Sequence, residues 1–411
     1  MVRRVAVIGA GIVGLSCAWF LQEEGVDVSL FERNDVAAGA SWGNAGYIAP
    51  IFSVPLPEPA ILRYGIKSLF DPKSPLSVPA RPDASLYNFL VRFARNCTDR
   101  QWQAGMAAYR PLNEAARATY DALTEGGVEA KVTDAPIICP FQKESEAEGL
   151  FAELRMVLGT GQDVDIEMLT GEQAREAEPL VSADTRLAVR LHGQGFIDPP
   201  AFVDALAASV RSRGGELHTG TAVREVSAAK GQAVVDTGES DSEAFDAVVI
   251  AAGSWFTKLA GPHGVRTPVN AGRGYSFAVS TATPPSGPLY FPHQRIACTP
   301  YRDGLRVAGL MEFDRADAAP HPKRLRNLRR SAQLVLPDVD WSSVREEWVG
   351  PRPVTPDGLP LIGPTRTPGV YVAGGHGMWG VTLGPMTGKL LARQICTGVT
   401  QSELEPFDPC R

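Results

Sequence analysis

An apolar run, Val5-Ala6-Val7-Ile8, opens directly into Gly9-Ala10-Gly11-Ile12-Val13-Gly14, and no other stretch restricts the fold of this chain as much. A helical apolar pattern follows through Leu15, Ala18, Trp19 and Leu21 and ends at Gly25. Val28-Ser29-Leu30-Phe31 then reads as a second strand closed by Glu32. Strand, Gly-rich turn, helix, strand and terminal acid is the arrangement that cradles a dinucleotide. Gly9 allows the tight turn, Gly11 lets the backbone approach a pyrophosphate, and Gly14 lets the helix pack close to the sheet. The helix N-terminus, at Ile12 and Val13, offers unpaired N–H groups and a partial positive charge to phosphates. Glu32, eighteen residues beyond Gly14, is placed to accept hydrogen bonds from ribose hydroxyls. The motif alone does not say which dinucleotide.

At 411 residues the chain has room for two or three domains, and its 44% hydrophobic and 21% charged residues are ordinary for a soluble enzyme. A net charge of −6 argues against general nucleic-acid binding, which needs a basic footprint. The six cysteines are scattered without a CxxC pair, and no histidines cluster at metal spacing, so no metal is expected and reduced thiols in the cytoplasm fit best. Arg3-Arg4 followed by the uncharged run Val5 to Leu21 superficially resembles a secretory leader. Its three glycines at fixed spacing and the lack of a cleavage site favour the nucleotide turn, and no other segment is apolar enough to span a bilayer.

Further along, Ala37 to Gly46 is small and Gly-rich, as suits backbone running close beneath a flat ligand. Seven prolines between Pro55 and Pro82 exclude long helices from what reads as a covering excursion over the cofactor. Helical patterns fill Leu86 to about Thr124 and Glu144 to Leu158, with a short helix at Gln173 to Glu178. Asp198 is a plausible N-cap, with Pro199 at the first position of a helix that runs to about Arg213. A strand is expected at Thr221 to Val226. Phe245 to Gly253 reads as a buried parallel strand bearing a ligand at its C-terminal end. Val265 to Gly309 alternates like an antiparallel sheet. Pro322 to Val335 is an amphipathic helix whose Lys323, Arg324, Arg326, Arg329 and Arg330 read as a solvated face. A closing unit has a strand at Gly369 to Ala373, a turn at Gly374-Gly375-His376-Gly377 and a helix from Val381 to Cys396.

No second GxGxxG occurs, so one nucleotide domain is built from both ends of the chain. The expected fold is α/β: a Rossmann-type domain (1–50, 150–262 and 340–411) interleaved with an α+β substrate domain on an antiparallel sheet (51–149 and 263–339).

The opening fingerprint, Gly39-Ala40-Ser41-Trp42-Gly43-Asn44-Ala45-Gly46, Phe196-Ile197-Asp198-Pro199, Gly272-Arg273-Gly274-Tyr275-Ser276, Gly350-Pro351-Arg352-Pro353-Val354-Thr355-Pro356-Asp357-Gly358 and Gly374-Gly375-His376-Gly377-Met378 together form a pattern. This pattern resembles the D-amino-acid oxidase superfamily of FAD-dependent oxidoreductases over essentially the whole chain. Pro55 to Cys97 and the closing motifs look most like its D-amino-acid dehydrogenase group. The resemblance implies FAD with its pyrophosphate on the first helix and its ribose on Glu32-Arg33. The isoalloxazine would lie between Ala40, Ser41, Asn44, Ala45, Gly46 and the turn of Gly375, His376, Gly377, Met378, Gly380, Val381 and Thr382. Ala252-Gly253 would flank the cofactor, and the Val223 backbone would meet the adenine. Relatives that attach FAD covalently do so through a cysteine shortly before the Thr-Pro-Asp segment. Val349 to Thr355 has none, so the FAD is expected to be non-covalent.

By the same resemblance Arg352 forks onto a substrate carboxylate, a task suited to a planar guanidinium. Tyr275 and Tyr47 are candidate cavity walls, His376 lies at the flavin rather than acting as a base, and Trp379 stands where related enzymes often carry a polar residue. The implied reaction is hydride transfer from the α-carbon of a D-amino acid or a cyclic or secondary amino acid to flavin N5, giving an imine and then a keto acid and ammonia. An oxidase of a specialised secondary or N-methyl amine, and a flavin-binding subunit without activity of its own, are the alternatives. The electron acceptor, quinone or O2, stays open, and a quinone would put the protein peripherally at the inner face of a membrane.

Overall fold

The computed structural model describes residues 2–60, 74–79, 82–238 and 242–411. Residues 61–73 and 80–81 of the covering excursion read between Pro50 and Pro82 lie outside the described residues.

The opening strand, Arg4–Ile8, sits inside a six-stranded sheet ordered Glu216–His218, Asp27–Phe31, Arg4–Ile8, Ala247–Ile250, Val370–Gly374, Leu361–Pro364. All neighbours are parallel except the last pair. The period-2 geometry of a strand sends Val5 and Val7 to one face and Ala6 and Ile8 to the other. On the first face they meet Leu15, Ala18 and Trp19 of the helix Ile12–Glu23, with the helices Pro199–Ser212 and Gly380–Thr397 beside it. On the second they meet Val226, Val235 and Phe245 of a three-stranded antiparallel layer. Burial on both faces explains why these strands read as unbroken apolar runs.

The second domain is a nine-stranded sheet. Its main path runs Arg345–Val354, Asn270–Ser280, Gly304–Phe313, Ile296–Tyr301, Leu289–Phe291, Ile137–Phe141, Leu187–Leu191, Ile166–Thr170, and Leu76–Ser77 pairs with Gly304–Phe313. Pairing is antiparallel except at two short contacts. The helix Pro322–Gln333 covers one face through Leu325, Leu328 and Ala332.

Several boundaries differ from those read in the sequence. Ile166–Thr170, Leu187–Leu191 and Arg345–Val354 belong to the substrate sheet, because each satisfies the ladder groups of a neighbouring strand that would otherwise be an open edge. The helical patterns read across 86–124 form two helices, Ala84–Asn96 and Asp99–Glu125. The side chains of Asp83 and Thr98 cap them by accepting from Leu86 N (3.0 Å) and Gln101 N (3.3 Å). The second of these packs on the nucleotide domain, where Tyr109 and Tyr120 donate their hydroxyls to Gly358 O (2.7 Å) and Val381 O (2.6 Å). The strand expected at 221–226 begins only at Glu225: strands span Glu216–His218 and Glu225–Ala229, joined by an irregular turn. The basic face of Pro322–Gln333 is only partly solvated, since Arg324 is buried and donates to the carbonyls of Ser74 and Pro75. The cap at Asp198 forms as expected, accepting from Ala201 N at 3.2 Å with Pro199 as first helical residue.

Candidate active site

The glycine turn is closed to anything larger than hydrogen at two of its positions. Gly9 has φ +110°, and a Cβ there would meet Ala251 O at 2.5 Å. A Cβ on Gly14 would fall 1.9 Å from Gly9 O. Gly11 caps the helix with no side-chain hydrogen bond, Ser41 Oγ accepts from Ile12 N (3.0 Å), and Val13 follows in the first turn. Glu32 bridges to this turn, its carboxylate accepting from Ala10 N (2.9 Å) and Asn34 N (2.9 Å). The acid thus stands at the turn itself, already oriented, where it would hold the ribose of a bound dinucleotide.

Two sequence-based expectations change here. Arg33 is already engaged by side chains from other segments: its guanidinium stacks on Trp255 (3.8 Å to the ring centre) and pairs with Asp317 (3.2 Å) of the other domain. Val223 sits in the irregular turn before Glu225–Ala229, packed against the core around Phe31 and Phe245 rather than on a strand. Ala252 and Gly253 lie just past the end of Ala247–Ile250, where the ligand end of a parallel strand belongs.

The segment through Ala40, Asn44, Ala45 and Gly46 is held by its carbonyls. Ser276 Oγ donates to Gly43 O (2.8 Å) and Thr299 Oγ1 to Ala45 O (2.7 Å), while Asn44 Oδ1 accepts from Gly46 N (2.8 Å). Facing it is the turn at Gly375 and Gly377, tied to the strand that bears Arg352 because Gly377 N donates to Pro353 O (2.8 Å). Helix Gly380–Thr397 begins directly after this turn, with Val381 and Thr382 in its first turn. Thr382 Oγ1 accepts from Ala49 N (3.1 Å). His376 is buried beneath it, with Nε2 at 2.9 Å from Thr387 Oγ1 and Nδ1 left without a partner among the described residues. Burial pushes its pKa down to about 4, so the imidazole is neutral at physiological pH. An orphaned ring nitrogen, open space above Gly377 and the two closed glycine positions together fit a bound dinucleotide.

Beside them lies a cavity of about 420 Å³ lined by Tyr47, Tyr275, Arg352, Met378, Trp379 and Thr382, among others. Arg352 reaches it by a specific route. Gly274, one strand over, has no side chain, and a Cβ there would meet the Arg352 guanidinium at 2.1–2.6 Å. The guanidinium crosses that slot and donates Nη1 to Leu310 O at 2.7 Å. Leu310 has φ +65°, in the left-handed region that side-chain-bearing residues rarely adopt, at an irregularity in the pairing of Asn270–Ser280 with Gly304–Phe313. Such bulges re-aim groups next to functional sites, and here the carbonyl is one that receives the arginine. No carboxylate pairs with Arg352 among the described residues, and burial lowers its pKa to about 10, which leaves it cationic. A desolvated cation without a counter-ion, facing a mostly apolar cavity, is a site for an anion of the ligand.

The tyrosines form walls. Tyr47 donates its hydroxyl to Leu289 O (2.6 Å) and accepts from Cys298 N (3.2 Å), and Tyr275 donates to Glu312 Oε2 (2.5 Å). Burial raises both pKa values, that of Tyr275 to about 12, so neither is a base at neutral pH. Trp379 closes one side, its indole N–H donating to Val54 O (2.7 Å). Glu58, Glu153, Tyr290 and Arg295 also line the cavity. None carries a local sequence signal, since the four come from three segments, Tyr290 and Arg295 sharing one hairpin, and only the tertiary fold brings them together.

A parallel nucleotide sheet interleaved with a large antiparallel sheet, with the cavity at their junction, defines a two-domain flavoprotein architecture. The chain belongs to the DAO family of FAD dependent oxidoreductases, whose model matches residues 4–394. A D-amino acid dehydrogenase from Xylella fastidiosa (strain M23) is 28% identical over 99% of this chain and 95% of that protein. Glycine oxidase from Geobacillus kaustophilus has the same fold with a TM-score of 0.77 and 25% identity, covering 100% of this chain and 99% of the other. Glycine oxidase from Bacillus cereus ATCC 14579 superimposes with a TM-score of 0.73 at 24% identity, covering 100% and 99% of the two chains. The protein is therefore an FAD-dependent oxidoreductase. No helix among the described residues is long and apolar enough to cross a membrane.

Proposed function

We propose that this protein oxidises the α-carbon–nitrogen bond of an amino acid, with Arg352 forking onto the substrate carboxylate. The observation that carries this reading is the uncompensated Arg352 guanidinium in the cavity beside the His376 turn. The names of the relatives, a D-amino acid dehydrogenase and a glycine oxidase, agree with it. Bound FAD supplies a two-electron acceptor for the hydride of the α-carbon.

The chain's own residues have a modest task. Arg352 holds the carboxylate by two parallel charge-assisted bonds, which fixes the α-carbon in one orientation. Tyr47, Trp379 and Met378 wall the space beside it and exclude water. With His376 neutral and the tyrosine hydroxyls committed to the sheet, none of these residues is the base: the substrate amine enters unprotonated. The imine product then takes up water in solution to give a keto acid and ammonia. A D-amino acid is the leading substrate class, with cyclic and secondary amino acids beside it. The cofactor is held without a covalent bond, since the strand Arg345–Val354 has no cysteine.

The test is to load the protein with FAD, exclude oxygen, and add D-, L-, cyclic and N-methyl amino acids in turn. Bleaching of the visible flavin band by an amino acid supports the reading. A fully loaded flavin that none of them bleaches overturns it. Readmitting air then separates O2 from a quinone as acceptor by how fast the colour returns, and release of FAD by acid precipitation checks the non-covalent attachment.

A further inference from the structure

The cavity has a second polar end, which the carboxylate site leaves unused. Arg352 marks the first end, its guanidinium lying at strand Gly304–Phe313, where Leu310 O accepts from it. The pairing register sets Trp348, Ser276, Ala308, Ala297 and Tyr290 in one row across the sheet. Four of these line the cavity: Trp348, Ala308, Ala297 and Tyr290. The two alanines keep the floor open, and Tyr290 closes the row two strands beyond Gly304–Phe313, about 10 Å away at ordinary strand spacing.

Charged groups from three separate segments gather around Tyr290. Arg295 comes from the turn after Leu289–Phe291, in the left-handed region with φ +55°. Glu153 projects from helix Glu144–Leu158, and Glu58 from the segment after the short 3-10 helix Pro50–Phe52. All three line the cavity. Among the described residues neither carboxylate comes within the 4.0 Å of an ion pair with Arg295, so their oxygens remain open to a ligand. Burial raises both carboxyls while Arg295 opposes the rise. Glu58 adds to the effect on Glu153, which is pushed up to about 7.

We infer that this end of the cavity is a side-chain subsite selecting amino acids whose side chain ends in a cation, an ammonium or a guanidinium. The inference rests on the amino-acid reading above and gives that reading a substrate class. Its sign follows from a count of charges among the described residues: two carboxylates face one guanidinium, so an arriving cation balances the cluster. An arriving carboxylate would set three anions against one cation in a partly desolvated space. Its reach follows from chain length. Tyr290 lies two strands from Gly304–Phe313 and two residues along from Leu310, about 12 Å at ordinary strand dimensions. An extended lysine-type side chain of about 7–8 Å, with a polar contact of about 3 Å at either end, bridges that span, and a methyl group does not.

The test uses the FAD-loaded enzyme with an artificial electron-accepting dye, comparing lysine and arginine with norleucine, glutamate and alanine in both enantiomers. Norleucine matches lysine in length without the charge. The expected result is a kcat/KM for the basic amino acids at least tenfold above norleucine. That ratio should grow as pH rises through about 7, because Glu153 binds a cation only once ionised. Taking the ratio cancels the titration of the α-amine, which both substrates share. Glu153→Gln, isosteric and uncharged, should reduce the ratio at least tenfold and flatten its pH dependence, and Glu58→Gln should also reduce it. Norleucine matching lysine in the unsubstituted enzyme, or glutamate turning over fastest, overturns the subsite while leaving amino-acid oxidation standing. If no amino acid is oxidised, both readings fall together.

Discussion

The two ends of this active site are built on different principles. The cofactor end is local: Gly9 to Gly14 and Glu32 lie within one strand–helix–strand unit, and their contacts are mostly backbone. The substrate end is assembled from Tyr47, Gly274, Leu310, Arg352 and Trp379, spread over more than 300 residues and joined by side chains crossing a sheet. A local backbone device tolerates almost no change at its narrow points but leaves a plain sequence trace. A side-chain assembly can be retuned residue by residue and leaves little trace. Substrate choice therefore belongs to the second end.

Four substitutions or conditions press on this contrast. The largest effect is expected from Gly14→Val, since even a Cβ would stand 1.9 Å from Gly9 O. Cofactor binding should fall by at least about 4 kcal/mol, so that the protein purifies nearly colourless. Wild-type flavin content in this variant would break the account of the turn. Next comes Arg352→Ala, which should lower kcat/KM by about 10²- to 10³-fold, chiefly through KM, with flavin content kept. Arg352→Lys should recover only part of that loss, because an ammonium lacks the planar fork. Loss of flavin together with activity would make Arg352 structural.

A third effect concerns pH. The folded-state pKa of His376 is depressed to about 4, so between 6.5 and 4 the unfolded chain takes up a proton that the native state refuses. His376 thus contributes stability that is present above about 6.5 and is lost as pH falls through that window, up to about 3 kcal/mol. In urea melts over this range the stability of the wild type should fall more steeply with decreasing pH than that of His376→Asn if the imidazole is the cause, and an identical pH dependence in both would exclude it. The smallest effect is expected from Gly274→Ala. The new methyl displaces the Arg352 guanidinium from its slot, and kcat/KM should drop about tenfold with flavin spectrum and stability nearly intact. An unchanged KM would show that the arginine has another route into the cavity.

Much of the fold was legible in residue order. The strand at Val5, the cap at Asp198 and the helix Glu144–Leu158 each rest on short-range periodicity or capping, and each stands where that pattern puts it. The misreadings arose where tertiary context decides. Arg33 follows the acid expected at the ribose, yet Trp255 and Asp317 from other segments hold it. Arg324 belongs to a basic helix stripe, yet the carbonyls of Ser74 and Pro75 bury it. The strands at 166–170 and 187–191 show no sign in sequence of which sheet they join, because strand pairing is chosen by partners far along the chain.

Within the site, the amino-acid sequence by itself determined the nucleotide turn, since glycine spacing acts directly on backbone sterics and needs no distant partner. It also singled out Arg352, through its place in an extended motif. The left-handed Leu310 that receives that arginine, the slot at Gly274, and the meeting of Glu58, Glu153 and Arg295 around Tyr290 were decided only by the tertiary structure. Their chemistry depends on which atoms share a cavity, and strand order and burial set that neighbourhood.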